Sequence, residues 1–178
     1  ELVPTARQLG VFWGYAPPAF PAVETDLALG EMQTAATAMN IKIRPWLNRD
    51  EASLEANLAA AESSGVDALF VSAGGPQSQP KTISRIADFV LKRKLPTACD
   101  AAGVYFMQGG VIAYSAEFSE LGRRAAAYVD RILRGAKPGE MPIERPARFE
   151  LVVNRRFAKA LGFAIPPSLA VRADRFVD

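Results

Sequence analysis

Apolar and polar positions along the chain repeat with two different periods. Leu9 to Trp13 is a short continuous apolar run, and Ala68-Leu69-Phe70-Val71, inside Asp67 to Ser72, is another; both read as buried strands. Ile41 and Ile43 alternate with Lys42 and Arg44 towards Trp46, the two-residue period of a strand. Leu95 to Cys99, Gly110 to Tyr114 and Phe149 to Val153 add three more predicted strands.

Between these runs the period lengthens to that of a helix. Leu27, Met32, Ala35, Ala36 and Met39 form a stripe that Pro21 can start and Asn40 can close in a left-handed conformation. Asp50 suits the N-cap of a helix carrying Leu54, Leu58 and Ala61, ended by Gly65. Pro80 opens a third helix, with Ile83, Ile86, Ala87, Val90 and Leu91 turned to the core. Ser115 is placed to cap a long fourth helix. Its apolar side is Phe118, Leu121, Ala125, Tyr128, Val129, Ile132 and Leu133, with Arg123, Arg124, Arg131 and Arg134 towards the other side. Gly135 and Pro138 stop it, Lys137 to Pro146 is a proline-containing linker, and a short helix is predicted near Arg156 to Leu161. Strands alternating with helices through short connections predict the α/β class: a doubly wound, mainly parallel sheet covered on both faces.

Composition narrows the chemistry. The chain has 178 residues, 49% of them hydrophobic, enough for a real core. It contains no histidine and one cysteine, Cys99. An intrachain disulfide framework, a Cys/His zinc site, a Ser-His-Asp nucleophile and a Cys–His pair are therefore all excluded. Neither G-x-G-x-x-G nor G-x-x-x-x-G-K-[ST] occurs, so no nucleotide cofactor is expected, and indeed none of any kind. The net charge of +2 does not suggest a nucleic-acid partner. From Glu117 to Ala160 ten Lys/Arg face six Asp/Glu, a bias that reads as a solvated helix face because no basic stripe interleaves with stacking aromatics.

In an open parallel sheet, ligands bind outside the carboxyl ends of the strands, where the strand order reverses. That rule selects the loops Gly14-Tyr15-Ala16, Leu47-Asn48, Ser72-Ala73-Gly74-Gly75-Pro76, Asp100-Ala101-Ala102-Gly103 and Tyr114-Ser115. Tyr15 and Tyr114, where strands give way to loops, are candidates for an aromatic wall. Gly74 and Gly75 suit a turn or close backbone approach to a solute. Ser72 can bond a ligand carboxylate. Asp100 can bind a ligand ammonium or act as an acid/base, and equally can be a loop residue or helix cap. Cys99 reads as a small buried hydrophobe.

The last seventy or so residues carry a more specific signal. Gly109-Gly110-Val111-Ile112-Ala113-Tyr114 is followed by the run from Arg123 to Pro138, which includes Asp130-Arg131-Ile132-Leu133-Arg134-Gly135. Then come Phe149-Glu150-Leu151-Val152-Val153-Asn154, Ala158-Lys159-Ala160-Leu161-Gly162, Ile165-Pro166-Pro167-Ser168-Leu169 and Arg172-Ala173-Asp174. This series resembles the C-terminal half of the ABC-transporter substrate-binding proteins of the tryptophan/tyrosine type. The resemblance implies a flavodoxin-like lobe of a type I periplasmic binding protein, non-enzymatic, with a small-molecule solute and a membrane permease as partners. It implies a periplasmic or other extracytoplasmic location.

It also implies a division of the chain: residues 1–116 as the second lobe, 117–140 as a crossover helix and linker packed on an absent first lobe, and 141–178 as a return strand and helical tail. With that lobe absent, the 117–134 helix is expected to pair two copies of the chain or to fold back on its own sheet. Relatives that bind aromatic amino acids tend to carry an Asn/Ser-rich loop after the first strand of this lobe and an Asp after the third. Here those places read Gly14-Tyr15-Ala16-Pro17-Pro18 and Ser72-Ala73-Gly74-Gly75-Pro76, and Asp100 is the available substitute. The implied solute is an aromatic amino acid or an aromatic or other organic acid. A ligand-sensing regulatory domain of the same fold is the alternative.

Overall fold

The computed structural model describes residues 1–14, 22–75, 79–101 and 109–178; Tyr15 lies outside the described residues. Among the described residues seven strands form one sheet: β1 (Gln8–Gly14), β2 (Lys42–Asn48), β3 (Ala68–Val71), β4 (Thr97–Cys99), β5 (Ile112–Ala116), β6 (Phe149–Asn154) and β7 (Arg175–Val177). The helices are α1 (Ala22–Ala38), α2 (Glu51–Ser64), α3 (Pro80–Arg93), α4 (Phe118–Leu133), α5 (Arg155–Leu161) and α6 (Pro167–Arg172). The strand order is β2-β1-β3-β4-β5-β6-β7. The first five strands are mutually parallel; β6 is antiparallel to β5, and β7 is parallel to β6. This is the doubly wound, mainly parallel α/β sheet that the alternation of periods predicts.

Local chemistry explains most boundaries. Asp50 caps α2 reciprocally with Ser53: its carboxylate accepts the Ser53 amide at 2.7 Å, and the Ser53 hydroxyl accepts the Asp50 amide at 3.0 Å. Gly65 ends the helix in the left-handed region at φ 68°, and Asn40 takes up φ 57° just after α1. The main core lies on one face of the sheet. There Phe12, Leu69 and Val111 meet Leu54 and Ala61 of α2, Ile86 and Val90 of α3, and Phe157 and Leu161 of α5. Cys99, Ala113 and Val152, in register with Val71 across β4, β5 and β6, form a smaller cluster on the same face, with Val177 against it.

Three expectations need correction. The α1 stripe is barely buried: Ala36 is, whereas Leu27 and Met39 are 65% and 62% exposed. Ser115 does not cap α4. β5 pairs with β6 through Ser115↔Glu150 and Ala116↔Phe149, so the ladder claims Ser115, and Glu117 takes the cap position without a side-chain cap bond. Finally, β7 is a strand where only a helical tail is expected. It is three residues long, too short to show a period, and is fixed by Asp174, whose carboxylate accepts the Leu151 amide at 2.8 Å.

The α4 helix buries none of its residues. It does not fold back on its own sheet. What it holds is the linker: the Tyr128 hydroxyl donates to the Pro142 carbonyl at 2.6 Å, and Arg124 bridges Glu120 and Glu144 at 3.0 and 2.9 Å.

Candidate functional site at the carboxyl rim

The strand order reverses at β1, which has β2 on one side and β3 on the other, so the crevice predicted for a ligand lies above the carboxyl ends of these strands and β4. Side chains tie these ends together. The Ser72 oxygen accepts the Gly14 amide at 3.0 Å, and the Ser72 amide donates to the Phe12 carbonyl at 2.9 Å. Ser72 is 2% exposed, so its hydroxyl is turned inward and acts here as a strut between β1 and β3.

The next tie links β3 to β4. Asp100, directly after β4, accepts the Ala73 amide on Oδ1. Burial pushes its carboxyl above the usual aspartate range, against the opposing effect of the Ala73 amide. Between the two ties, Gly74 and Gly75 have φ values of 131° and 60°, conformations suited to glycine, which leave the turn without side chains. Ser72, Gly74, Gly75 and Asp100 are thus brought together on one loop cluster.

Tyr114 is placed differently. β5 runs on to Ala116, so Tyr114 lies two residues inside the strand on an exposed face, where it stacks on Phe149 with ring centroids 5.6 Å apart. Cys99 is buried; its thiol donates to the Ala101 carbonyl at 3.3 Å and is pushed up to about 12 by burial. It is not a thiolate at neutral pH.

Asn48, at the end of β2 and in register with Gly14, was selected by sequence only as part of a loop. It is fully buried. The Asn57 amide nitrogen donates both to the Leu47 carbonyl at 3.0 Å and to Asn48 Oδ1 at 2.9 Å. A carbonyl only accepts, so Leu47 fixes the orientation of Asn57, which in turn fixes that of Asn48. Among the described residues Asn48 Nδ2 has no partner. No sequence signal marks it, because the orientation depends on a residue nine positions away on α2.

No group of three or more potential metal ligands occurs among the described residues, and no described helix is long and apolar enough to cross a membrane. Among the described residues, the loops after β1, β3 and β4 offer backbone amides, small residues and the carboxylate of Asp100.

The sequence matches the family profile described as ABC transporter substrate binding protein over residues 1–177. The chain belongs to that family. No curated protein is recognisably similar in sequence. Among solved structures, the fold of this substrate-binding family member is similar to a conserved domain protein from Vibrio cholerae O1 biovar El Tor (TM-score 0.83, 20% identity), with 99% of this chain and 56% of that one covered. It is similar to the ABC domain in complex with L-Trp from Streptococcus pneumoniae (TM-score 0.83, 18% identity, 99% and 57% covered). It also resembles the ligand-free, open form of a substrate binding protein with adhesive properties from Clostridium difficile (TM-score 0.69, 16% identity, 99% and 56% covered). The chain therefore spans little more than half the length of these structures.

Proposed function

We propose that this chain is one lobe of an extracytoplasmic solute-binding protein that captures a small organic solute and presents it to the permease of an ABC importer. The observation that carries this reading is the family match over residues 1–177. Residues 1–116 are then the solute-binding lobe, 117–140 the crossover and 141–178 the return segment. The bare α4 supports the division. Phe118, Val129 and Leu133 are 67%, 54% and 82% exposed, and Ile143 of the adjoining linker is fully exposed. An apolar face of that kind calls for a partner surface. A first lobe, from the part of the neighbours' length that has no counterpart here, is the occupant proposed, ahead of a second copy of the chain.

The rim supports binding rather than catalysis. The Gly74-Gly75 turn allows close backbone approach, and Tyr15 and Tyr114 remain the proposed aromatic contacts. The L-Trp held by the pneumococcal neighbour makes aromatic amino acids and aromatic acids the first solutes to test. Calorimetry of the full-length protein and of this chain alone, on one panel of such solutes, tests the proposal. Binding by the full-length protein, with little or none by the chain alone, is expected, because a cleft ligand loses one wall when a lobe is removed. Absence of binding by the full-length protein to any small organic solute would overturn it.

A further inference from the structure

Among the described residues, the cations fall into two groups. Many stand against carboxylates: Lys81 and Arg85 share Glu51, Lys92 and Arg93 share Glu62, and Arg123 and Arg124 share Glu120. Arg7, Lys42 and Arg44 make no ion pair among the described residues, yet all three line one groove of about 390 Å³ together with Gln8, Asn40 and Ile43. Strand pairing gathers them. Gln8 lies opposite Lys42 in the parallel β1–β2 ladder, and the Arg7 carbonyl accepts the Lys42 amide at 2.8 Å. Side chains two apart on a strand share a face, so Lys42 and Arg44 stand on the same side of β2, about 7 Å apart along it.

The hydrogen bonds at this end leave the three charges without a counter-charge in contact. Arg44 donates Nε to Gln8 Oε1 at 3.1 Å, and Arg7 donates Nη1 to the neighbouring Ala6 carbonyl at 2.9 Å. Both acceptors are neutral. Asp67 approaches from the start of β3, but its Oδ2 is taken by the backbone amides of Arg7 and Gln8, and the Arg7 charge acts on it only at a distance. Gln8 steadies the Arg44 guanidinium through Nε, which leaves the two terminal nitrogens of the fork for another acceptor. A carboxylate would occupy one fork and leave two cations as they are. A phosphate group presents more acceptor oxygens and more charge, and suits two guanidinium forks with an ammonium beside them.

We propose that this groove is an anion site, separate from the solute rim, that receives a phosphate group through Arg7, Lys42 and Arg44. It lies at the amino ends of β1 and β2, whereas Gly14 and Asn48 mark the rim at their carboxyl ends. From Gln8 to Gly14 the strand runs about 20 Å, so the two sites can be filled together. The assignment therefore does not rest on the solute-binding reading. A soluble phosphate ester and the headgroup of an anionic phospholipid carry the same chemistry.

The experiment uses the full-length protein and two probes at low ionic strength. Glycerol 3-phosphate is titrated by calorimetry, and phosphatidylcholine vesicles with and without phosphatidylglycerol are tested by co-sedimentation. The variants are Lys42→Gln and Arg44→Gln, with Lys159→Gln removing one charge outside the groove; all three positions are exposed. Lys42→Arg keeps the charge and should bind as the native protein does, which separates charge from any effect on folding. Binding of at least one probe is expected, weakened by added salt and reduced about fivefold or more by either groove substitution, with Lys159→Gln unchanged. Binding of glycerol 3-phosphate supports the site with a soluble ester as its ligand. Binding only of the vesicles that contain phosphatidylglycerol supports it with a lipid headgroup. Binding of neither probe overturns the proposal. So does an equal loss in Lys42→Gln, Arg44→Gln and Lys159→Gln, which shows attraction to overall charge instead of a site.

Discussion

The oxygen of Ser72 accepts the amide of Gly14 at 3.0 Å, joining the ends of β1 and β3 where the strand order reverses. The bond is buried, so its loss leaves an amide with neither protein nor water as partner. Ser72→Ala is expected to destabilise the fold by about 1–3 kcal/mol. Urea unfolding of the two proteins checks this, and equal midpoints would show that Gly14 finds another partner.

Asp100 gives a test in the opposite direction. Its folded-state pKa is raised, so the stabilising form is the protonated one. That contribution is complete below the ordinary aspartate value of about 3.9 and is lost as pH rises through the raised folded-state value. Asp100→Asn should therefore match the native protein in acid and exceed it in stability at neutral pH. Thermal unfolding across that range measures the gap, and a variant less stable at neutral pH would contradict it.

Asp67 should behave inversely. Its carboxylate accepts the amides of Arg7 and Gln8 at 2.7 and 2.8 Å, which lower its pKa and hold the start of β1 beside the start of β3. The stability it contributes is present above the ordinary aspartate range and is lost as pH falls through the depressed folded value. Asp67→Ala is expected to destabilise the protein at neutral pH, with the difference closing in strong acid. A difference that persists unchanged with pH would show that the carboxylate charge is not what matters.

The exposed face of α4 separates folding from assembly. Val129→Glu and Leu133→Glu fall on residues 54% and 82% exposed, and each should change the stability of the chain alone by less than about 0.5 kcal/mol. In the full-length protein the same changes should cost several times more, because that face is proposed to be covered there. Denaturation of both forms tests the contrast. Sedimentation of the chain alone shows whether a second copy takes the face instead, in which case Ile132→Glu should dissociate the dimer.

Gly74, at φ 131°, occupies a conformation closed to other residues. Gly74→Val should cost about 1–3 kcal/mol from backbone strain alone. Any loss of solute affinity must therefore be measured where the variant is still folded. Unfolding midpoints equal to those of the native protein would show that the turn can relax.

Much of the molecule was determined by sequence on its own. Runs such as Leu9 to Trp13 and stripes such as Ile83, Ile86, Ala87 and Val90 declare their elements, because the period of side chains along a strand or helix is local geometry. Asp50, Gly65 and Asn40 declare boundaries for the same reason: a cap or a left-handed residue acts within a few positions. The alternation of the elements then determined the fold class, and the Gly109 to Asp174 series pointed to the family. Only the tertiary structure decided what the rim is. Ser72 reads as an available hydroxyl until Gly14, 58 positions away, occupies its oxygen. Asp100 reads equally as a ligand contact or a loop residue until the Ala73 amide, 27 positions away, donates to it. Ser115 looks like a helix cap until β6 returns to pair with it. The exposure of α4 is hidden in a sequence that is apolar on one side, because a stripe shows that a helix expects a partner and not where that partner lies. In each case the deciding group lies far along the chain or outside it, where local periodicity carries no information.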